Sequence, residues 1–374
     1  MGAKYVVTPQ GLNGLIQALL ARGYQTLGPT LRDGAIVYDQ VTSIADLPKG
    51  WTDRQDAGTY RLERRADNAL FGYAVGPQSW KRFLFPPIEQ LWQANRTAAG
   101  FTIAAPPLPT PKFAFLGVRA CEIAAIAIQD RVLIQGEYAN PQYAARRHDN
   151  FIIALNCGTA GGTCFCVSMQ TGPNATAGFD LALTEIIDAE RHEFLVEIGS
   201  ETGAALFAEI PNRPALDTDI ATADQIIART ASQMGRSLDT NGLKERLQSH
   251  LNDPHWDVVA DHCLSCGNCT MVCPTCFCTS VEDHSDLAGQ TADRTRRWDS
   301  CFTLDFSYLH GGSVRAHTKS RYRQWLTHKL ANWVDQFGTS GCVGCGRCVT
   351  WCPVGIDITQ EAASIGKETE HGGS

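Results

Sequence analysis

The chain has no apolar run approaching about eighteen consecutive residues, so nothing in it reads as a membrane-spanning helix. Its start, MGAKYVVTPQGLNG, lacks an apolar stretch long enough for a secretory signal, which places the expected protein in the cytoplasm. Positive charge is also in short supply. Lys and Arg total 32 against 39 Asp and Glu, a formal charge of -7. Nucleic acid is therefore not expected as a main partner, because phosphate binding depends on clustered positive charge. No G-x-G-x-x-G fingerprint, phosphate-binding loop or C-x-x-C-H haem site occurs in the 374 residues. A nicotinamide or flavin site of the common kind is accordingly not expected.

What the chain has in quantity is cysteine, 15 residues in all. In a reducing compartment these make a poor disulfide scaffold, and metal binding is the better reading. Eight of them form two copies of one pattern. Cys263, Cys266, Cys269 and Cys273 are followed by Pro274, and Cys342, Cys345, Cys348 and Cys352 by Pro353. Each is C-x2-C-x2-C-x3-C-P, the bacterial ferredoxin run, in which the fourth cysteine ligates the other cluster of a pair. The expected ligand sets cross over: Cys263, Cys266, Cys269 and Cys352 for one 4Fe-4S cluster, Cys342, Cys345, Cys348 and Cys273 for the second. Facing C-x2-C pairs also occur in zinc ribbons. A zinc site needs only four ligands, whereas each run supplies four within eleven residues, with a proline in the same place twice.

The other seven are Cys121, Cys157, Cys164, Cys166, Cys276, Cys278 and Cys301. Strand-like segments FAFLGV (113 to 118), FIIALNC (151 to 157) and FLVEIG (194 to 199) are short, β-branched or aromatic, and bounded by Pro, Asn or Gly. Helical spacing marks Leu12 to Leu20 and Cys121 to Val132. Strand, helix, strand in that order predicts an α/β layer. In a parallel sheet Cys121 and Cys157 would lie at the carboxyl edge, with Cys164 and Cys166 following in GGTCFC. Those four could hold a third iron-sulfur cluster, or be buried thiols acting as small hydrophobes. Cys276, Cys278 and Cys301 are one short of a full set; they could shield the ferredoxin pair or join the third site.

The proline-rich AAPPLPTP (104 to 111) reads as an extended connection, and NRPALDTDIAT (212 to 222) as a linker into helix over 223 to 251. The fold class expected is α+β: an α/β domain over 1–230, then a helical domain over 231–374 carrying the ferredoxin-like dicluster module. Residues 320–338 read as one amphipathic helix ended by Gly338. Eight Lys or Arg within 294–329 face only Asp299 and Asp305. They read as a solvated face, as charge compensation for reduced clusters, or as both. The tail KETEHGGS reads as disordered.

The stretch from Cys301 to Asp357, with RYRQWLTHKL and GCVGCGRC inside it, resembles the beta subunit of cytoplasmic bidirectional nickel-iron hydrogenases of the sulfhydrogenase type. It is equally similar to the corresponding iron-sulfur chain of anaerobic sulfite reductase, which is of the same family. The resemblance continues through LFGYAVGPQSWKRFLFPP (70 to 87), GVRACE (117 to 122) and GGTCFCVSMQTGP (161 to 173). It implies an electron relay without catalytic residues of its own. Its expected partners are a diaphorase subunit, which binds FAD and NAD(P)H, and the hydrogenase small and large subunits. The family pattern is matched by all eight ferredoxin cysteines and by Cys121, Cys157, Cys164 and Cys166. The chain also has no cysteine pair at each end of the kind that holds a nickel-iron centre. Three readings stand: a hydrogenase relay, a sulfite reductase relay, and a cluster-carrying scaffold without redox turnover.

Overall fold

The computed structural model describes residues 4–367. Residues 368–374, all of the tail but Lys367, lie outside them, as do the first three. Helices and sheets mix as an α+β fold. The larger sheet has eight strands. Four neighbours at its centre, Leu181–Ile187, Phe151–Leu155, Phe113–Arg119 and Gln25–Arg32, run parallel. Parallel strands are covered on both faces and so read as unbroken apolar runs. Every residue of Phe113–Arg119 and Phe151–Leu155 is buried. Antiparallel strands flank them, Ala35–Gln40 on one side and His192–Ile198, Lys4–Val7 and Arg213–Pro214 on the other.

The helix Pro9–Ala21 begins with proline in its first turn and with Thr8 Oγ1 accepting the Gly11 N–H, two ordinary start devices. Its Leu12, Leu15, Ile16 and Leu19 pack in the core with Ile153, Leu183 and Val196 of the sheet. Helix Ala120–Leu133 starts as soon as strand Phe113–Arg119 ends. The strands expected near 113, 151 and 194 and the helices near 12 and 121 all form, and residues 105–112 run without helix or strand.

Three expectations change, the first being the linker expected over 212–222, which holds strand Arg213–Pro214 and the start of helix Asp217–Ser232. The helix expected over 223–251 is two helices, Asp217–Ser232 and Leu243–Ser249. Between them the chain is held by contacts distant in sequence: the Arg236 N–H donates to the Cys164 carbonyl at 3.0 Å, and a side chain at Gly235 would collide with the Gly162 backbone. The helix expected over 320–338 runs from Thr318 to Phe337 and stops at Gly338 with φ 67°, but a π turn interrupts it at His328–Asn332.

Nothing in the periodicity announces the second sheet. Strands Thr279–Ser285 and Thr291–Trp298, between the cysteine runs, form a hairpin that pairs with Ile88–Thr97, and Gly100–Ala104 completes four strands. Buried Arg296 bonds Glu89 across that pairing. A second apolar core, with Trp256, Phe302, Tyr322, Trp325 and Leu326, surrounds the cysteine runs.

Candidate metal centre

The two runs fold alike because their spacers do. In Cys-Leu-Ser-Cys-Gly-Asn-Cys, Ser265 and Gly267 have φ of 51° and 72°; in Cys-Val-Gly-Cys-Gly-Arg-Cys, Gly344 and Gly346 have 65° and 75°. These left-handed residues, a conformation that glycine adopts readily, turn the backbone N–H inward. The Ser265 N–H lies 3.4 Å from Cys263 Sγ, and the Gly344 N–H 3.4 Å from Cys342 Sγ. Short helices follow, Asn268–Met271 and Arg347–Thr350, which pack on each other. Asn268 Nδ2 donates to the Trp351 carbonyl between the two repeats.

That pairing brings the end of each run to the start of the other. Cys263, Cys266, Cys269 and Cys352 line one cavity, closed by Phe302, Tyr322, Trp325 and Ile358, and Cys348 also borders it. The Ile356 N–H lies 3.3 Å from Cys352 Sγ. Cys273 is buried beside the second run, whose Cys342, Cys345 and Cys348 all sense its charge. Burial pushes the Cys342 thiol up to about 12 and holds Cys269 and Cys348 well above the ordinary thiol value. Cys273 goes the other way, lowered by the Cys276 thiol hydrogen bond and then by Lys329 and Thr275.

Lys329 comes from the π turn and is buried. Its Nζ donates to Cys273 Sγ at 3.2 Å, Thr275 Oγ1 at 3.1 Å and the Gly341 carbonyl at 3.2 Å. Single π turns are often found at functional sites. Most other cations of 294–329 serve local partners: Arg294 pairs Asp283, Arg297 pairs Glu282, Lys319 pairs Asp257, and Arg323 caps the Leu251 carbonyl. Arg321 reaches Ser265 Oγ at 3.3 Å. Of the cations in 294–329, Lys329 is thus the one that chiefly supplies charge beside the cysteines.

Of the four N-terminal cysteines, Cys121 and Cys166 pack in one buried cluster, which also holds Cys345. Cys121 opens helix Ala120–Leu133, Cys157 follows strand Phe151–Leu155, and Cys164 and Cys166 lie in the connection 156–180. Burial first, then Cys166, Cys345, Glu122 and Cys157, push the Cys121 thiol well up, and burial followed by Cys157, Cys164 and Cys345 does the same to Cys166. Cys276, Cys278 and Cys301 gather elsewhere, around Cys273: a Cys276 hydrogen bond acts on Cys273, and Cys278 and Cys301 act on each other. The register Thr279↔Trp298 puts Cys278 and Cys301 at one end of the hairpin. A hydrogen bond from Cys301 lowers Cys278 to about 7. Lys81 Nζ donates to the Cys276 carbonyl at 3.0 Å and lies 3.9 Å over the Trp298 ring. These three thiols therefore lie near Cys273 and Lys329.

Residues 262–356 match the 4Fe-4S dicluster domain family. Over 251 residues the chain is 34% identical to Sulfhydrogenase 2 subunit beta of Pyrococcus furiosus, an alignment covering 66% of this chain and 72% of that relative. The chain belongs to the sulfhydrogenase beta subunit family.

Family and geometry agree on the kind of group the cysteines suit. Among the described residues, no three His, Cys, Asp or Glu side chains converge closely enough to hold a single metal ion. A 4Fe-4S cube spreads its four thiolates over four irons, and the cavity lined by Cys263, Cys266, Cys269 and Cys352 offers four cysteines. Neither Lys329 nor the glycines that admit the 156–180 connection could be singled out beforehand. At Gly346 a side chain would lie 2.4 Å from the Thr163 carbonyl oxygen, a contact between segments far apart in the chain. Among the described residues no helix is long and apolar enough to cross a membrane.

Proposed function

We propose that the chain relays electrons between a diaphorase subunit, which binds FAD and NAD(P)H, and the iron-sulfur small subunit of a soluble nickel-iron hydrogenase. Cys263, Cys266, Cys269 and Cys352 would hold one 4Fe-4S cluster, and Cys342, Cys345, Cys348 and Cys273 the other. The observation that carries this reading is the arrival of Cys352, from the second run, in the cavity of the first. Bound clusters supply one-electron exchange. The residues of the chain do the rest. Phe302, Tyr322 and Trp325 exclude water, the N–H groups of Ser265, Gly344 and Ile356 orient three sulfurs, and the Lys329 ammonium sits on Cys273. Donors of this kind favour the more negative state and so raise the potential. On this reading the chain divides near residue 230, with the larger sheet before the division and the runs after it.

The name of the Pyrococcus relative supports a hydrogenase assembly. Purification of the chain with its native partners tests it. Nickel-containing hydrogenase subunits and a flavin protein are the expected companions. Sirohaem without nickel would replace the hydrogenase by an anaerobic sulfite reductase. Clusters that neither NADH nor NADPH reduces in the presence of the flavin subunit would leave only a scaffold.

A further inference from the structure

The parallel centre of the larger sheet ends where open α/β sheets bind ligands, outside the carboxyl ends of adjacent strands. Two of those strands, Phe113–Arg119 and Phe151–Leu155, deliver Cys121 and Cys157 there. The connection 156–180 then crosses the same edge with neither helix nor strand. Irregular connections of that length inside a compact fold are uncommon and are usually functional. This one carries Cys164 and Cys166, and it is pinned: the Phe165 N–H donates to the Gly344 carbonyl at 2.8 Å, and the Thr171 hydroxyl to the Val343 carbonyl at 2.6 Å.

Space is kept free around the sulfurs. A side chain at Gly161 would stand 3.1 Å from Cys164 Sγ, and one at Gly172 would stand 3.1 Å from Cys166 Sγ. Two buried guanidinium groups lie next to these segments, Arg119 at the end of strand Phe113–Arg119 and Arg347 in the second run. Arg119, 2% exposed, gives one nitrogen to the Phe71 and Tyr73 carbonyls and leaves Nη1 without a partner, with Cys157 the group that most favours its charge. Arg347, 1% exposed, binds the Gly76 and Gln78 carbonyls and Glu122, and its Nη1 is also unpartnered, within reach of the charges of Cys345 and Cys121. Of the carboxylates nearby, Glu122 is committed to Arg347, Tyr38 and Trp80, and Asp53 to Gln55 and the Ala74 N–H. A buried donor left without an acceptor costs about 1–3 kcal/mol, more when it is charged.

We propose that Cys121, Cys157, Cys164 and Cys166 hold a third iron-sulfur cluster, whose negative charge is met chiefly by Arg119. On ligation each thiol gives its proton to solvent as its sulfur binds iron. No electron moves in that step. Cys164 Sγ lies 4.0 Å from the carbonyl oxygen of Cys345, so the third site abuts the second run; its service in the relay, though not its existence, rests on the function proposed above.

The test is the iron and acid-labile sulfide content of the full chain purified anaerobically, with Mössbauer spectra. A third cube gives about twelve irons per chain, and a two-iron cluster about ten. The Cys157→Ser/Cys164→Ser variant should fall to about eight while keeping the spectra of the ferredoxin pair. Replacing Cys276 and Cys278 should leave the count unchanged. About eight irons in the unmodified chain overturns the third site and leaves the two-cluster relay standing. A count that falls only on replacing Cys276 and Cys278 overturns the assigned ligands. Because the unmodified chain alone can overturn the proposal, a variant that fails to fold does not protect it.

Discussion

Cys352 stands in the cavity lined by Cys263, Cys266 and Cys269 of the first run, which Cys348 also borders. Replacement by Ala should therefore alter the electron paramagnetic resonance of the cluster held by the first run, and an unchanged signal there would falsify the crossing. Lys329 makes the opposite kind of prediction, a change of energy without loss of ligand. With its ammonium 3.2 Å from Cys273 Sγ, Lys329→Met should lower the potential of the second cluster by on the order of 60 mV, a tenfold change in a one-electron equilibrium. Redox titration of the variant measures it. The cysteines were legible because ferredoxin spacing is local, set within eleven residues. The lysine was not, since it is one of eight cations in its segment, and only a π turn and burial distinguish it from those that pair with Asp283, Glu282 and Asp257.

At the scale of elements, the helix Thr318–Phe337 shows what a sequence conveys and what it withholds. Its extent and its glycine stop follow from periodicity and from the left-handed preference of Gly338. The π turn does not, because it answers to Cys273 and Gly341 on other segments. That turn also carries His328, whose ring packs near Trp333 and is flanked by Lys329 and Arg315. Burial first, then those cations, lower its pKa from 6.5 to about 4. The unfolded chain thus takes up a proton near 6.5 that the folded one refuses until about 4. Stability should fall as pH drops through that window. Anaerobic melts between pH 7.5 and 5.5 should show a smaller fall for His328→Gln than for the unmodified chain. Helix 223–251 fails as one element for a similar reason. Contacts to Gly162 and Cys164 hold 233–242 out of helix, and no local propensity reports them.

At the scale of the molecule, the cysteine runs are built into the rest of the fold. Arg347, from the second run, crosses to Gly76, Gln78 and Glu122, and the hairpin 279–298 pairs with strand Ile88–Thr97. Arg347 and Glu122 are 0% and 1% exposed as side chains. Removing one partner of a buried pair leaves an uncompensated charge, so Glu122→Gln should cost about 3–5 kcal/mol in denaturant unfolding. A loss below about 1 kcal/mol would show that the pair is not isolated from water. Such joints lie beyond a sequence reading, because the partners are remote in the chain and neither residue belongs to a motif that names the other. The parallel sheet and the runs could be foreseen; their union by Arg347 and the hairpin could not.

The relay itself is tested most directly by an anaerobic reductive titration of the purified complex, followed by electron paramagnetic resonance at low temperature. Added NADH or NADPH should reduce at least one cluster assigned to this chain, and Cys352→Ala should change the signal of the first run. If the clusters of the chain stay oxidised while the flavin subunit is fully reduced, the chain is not the conductor proposed here.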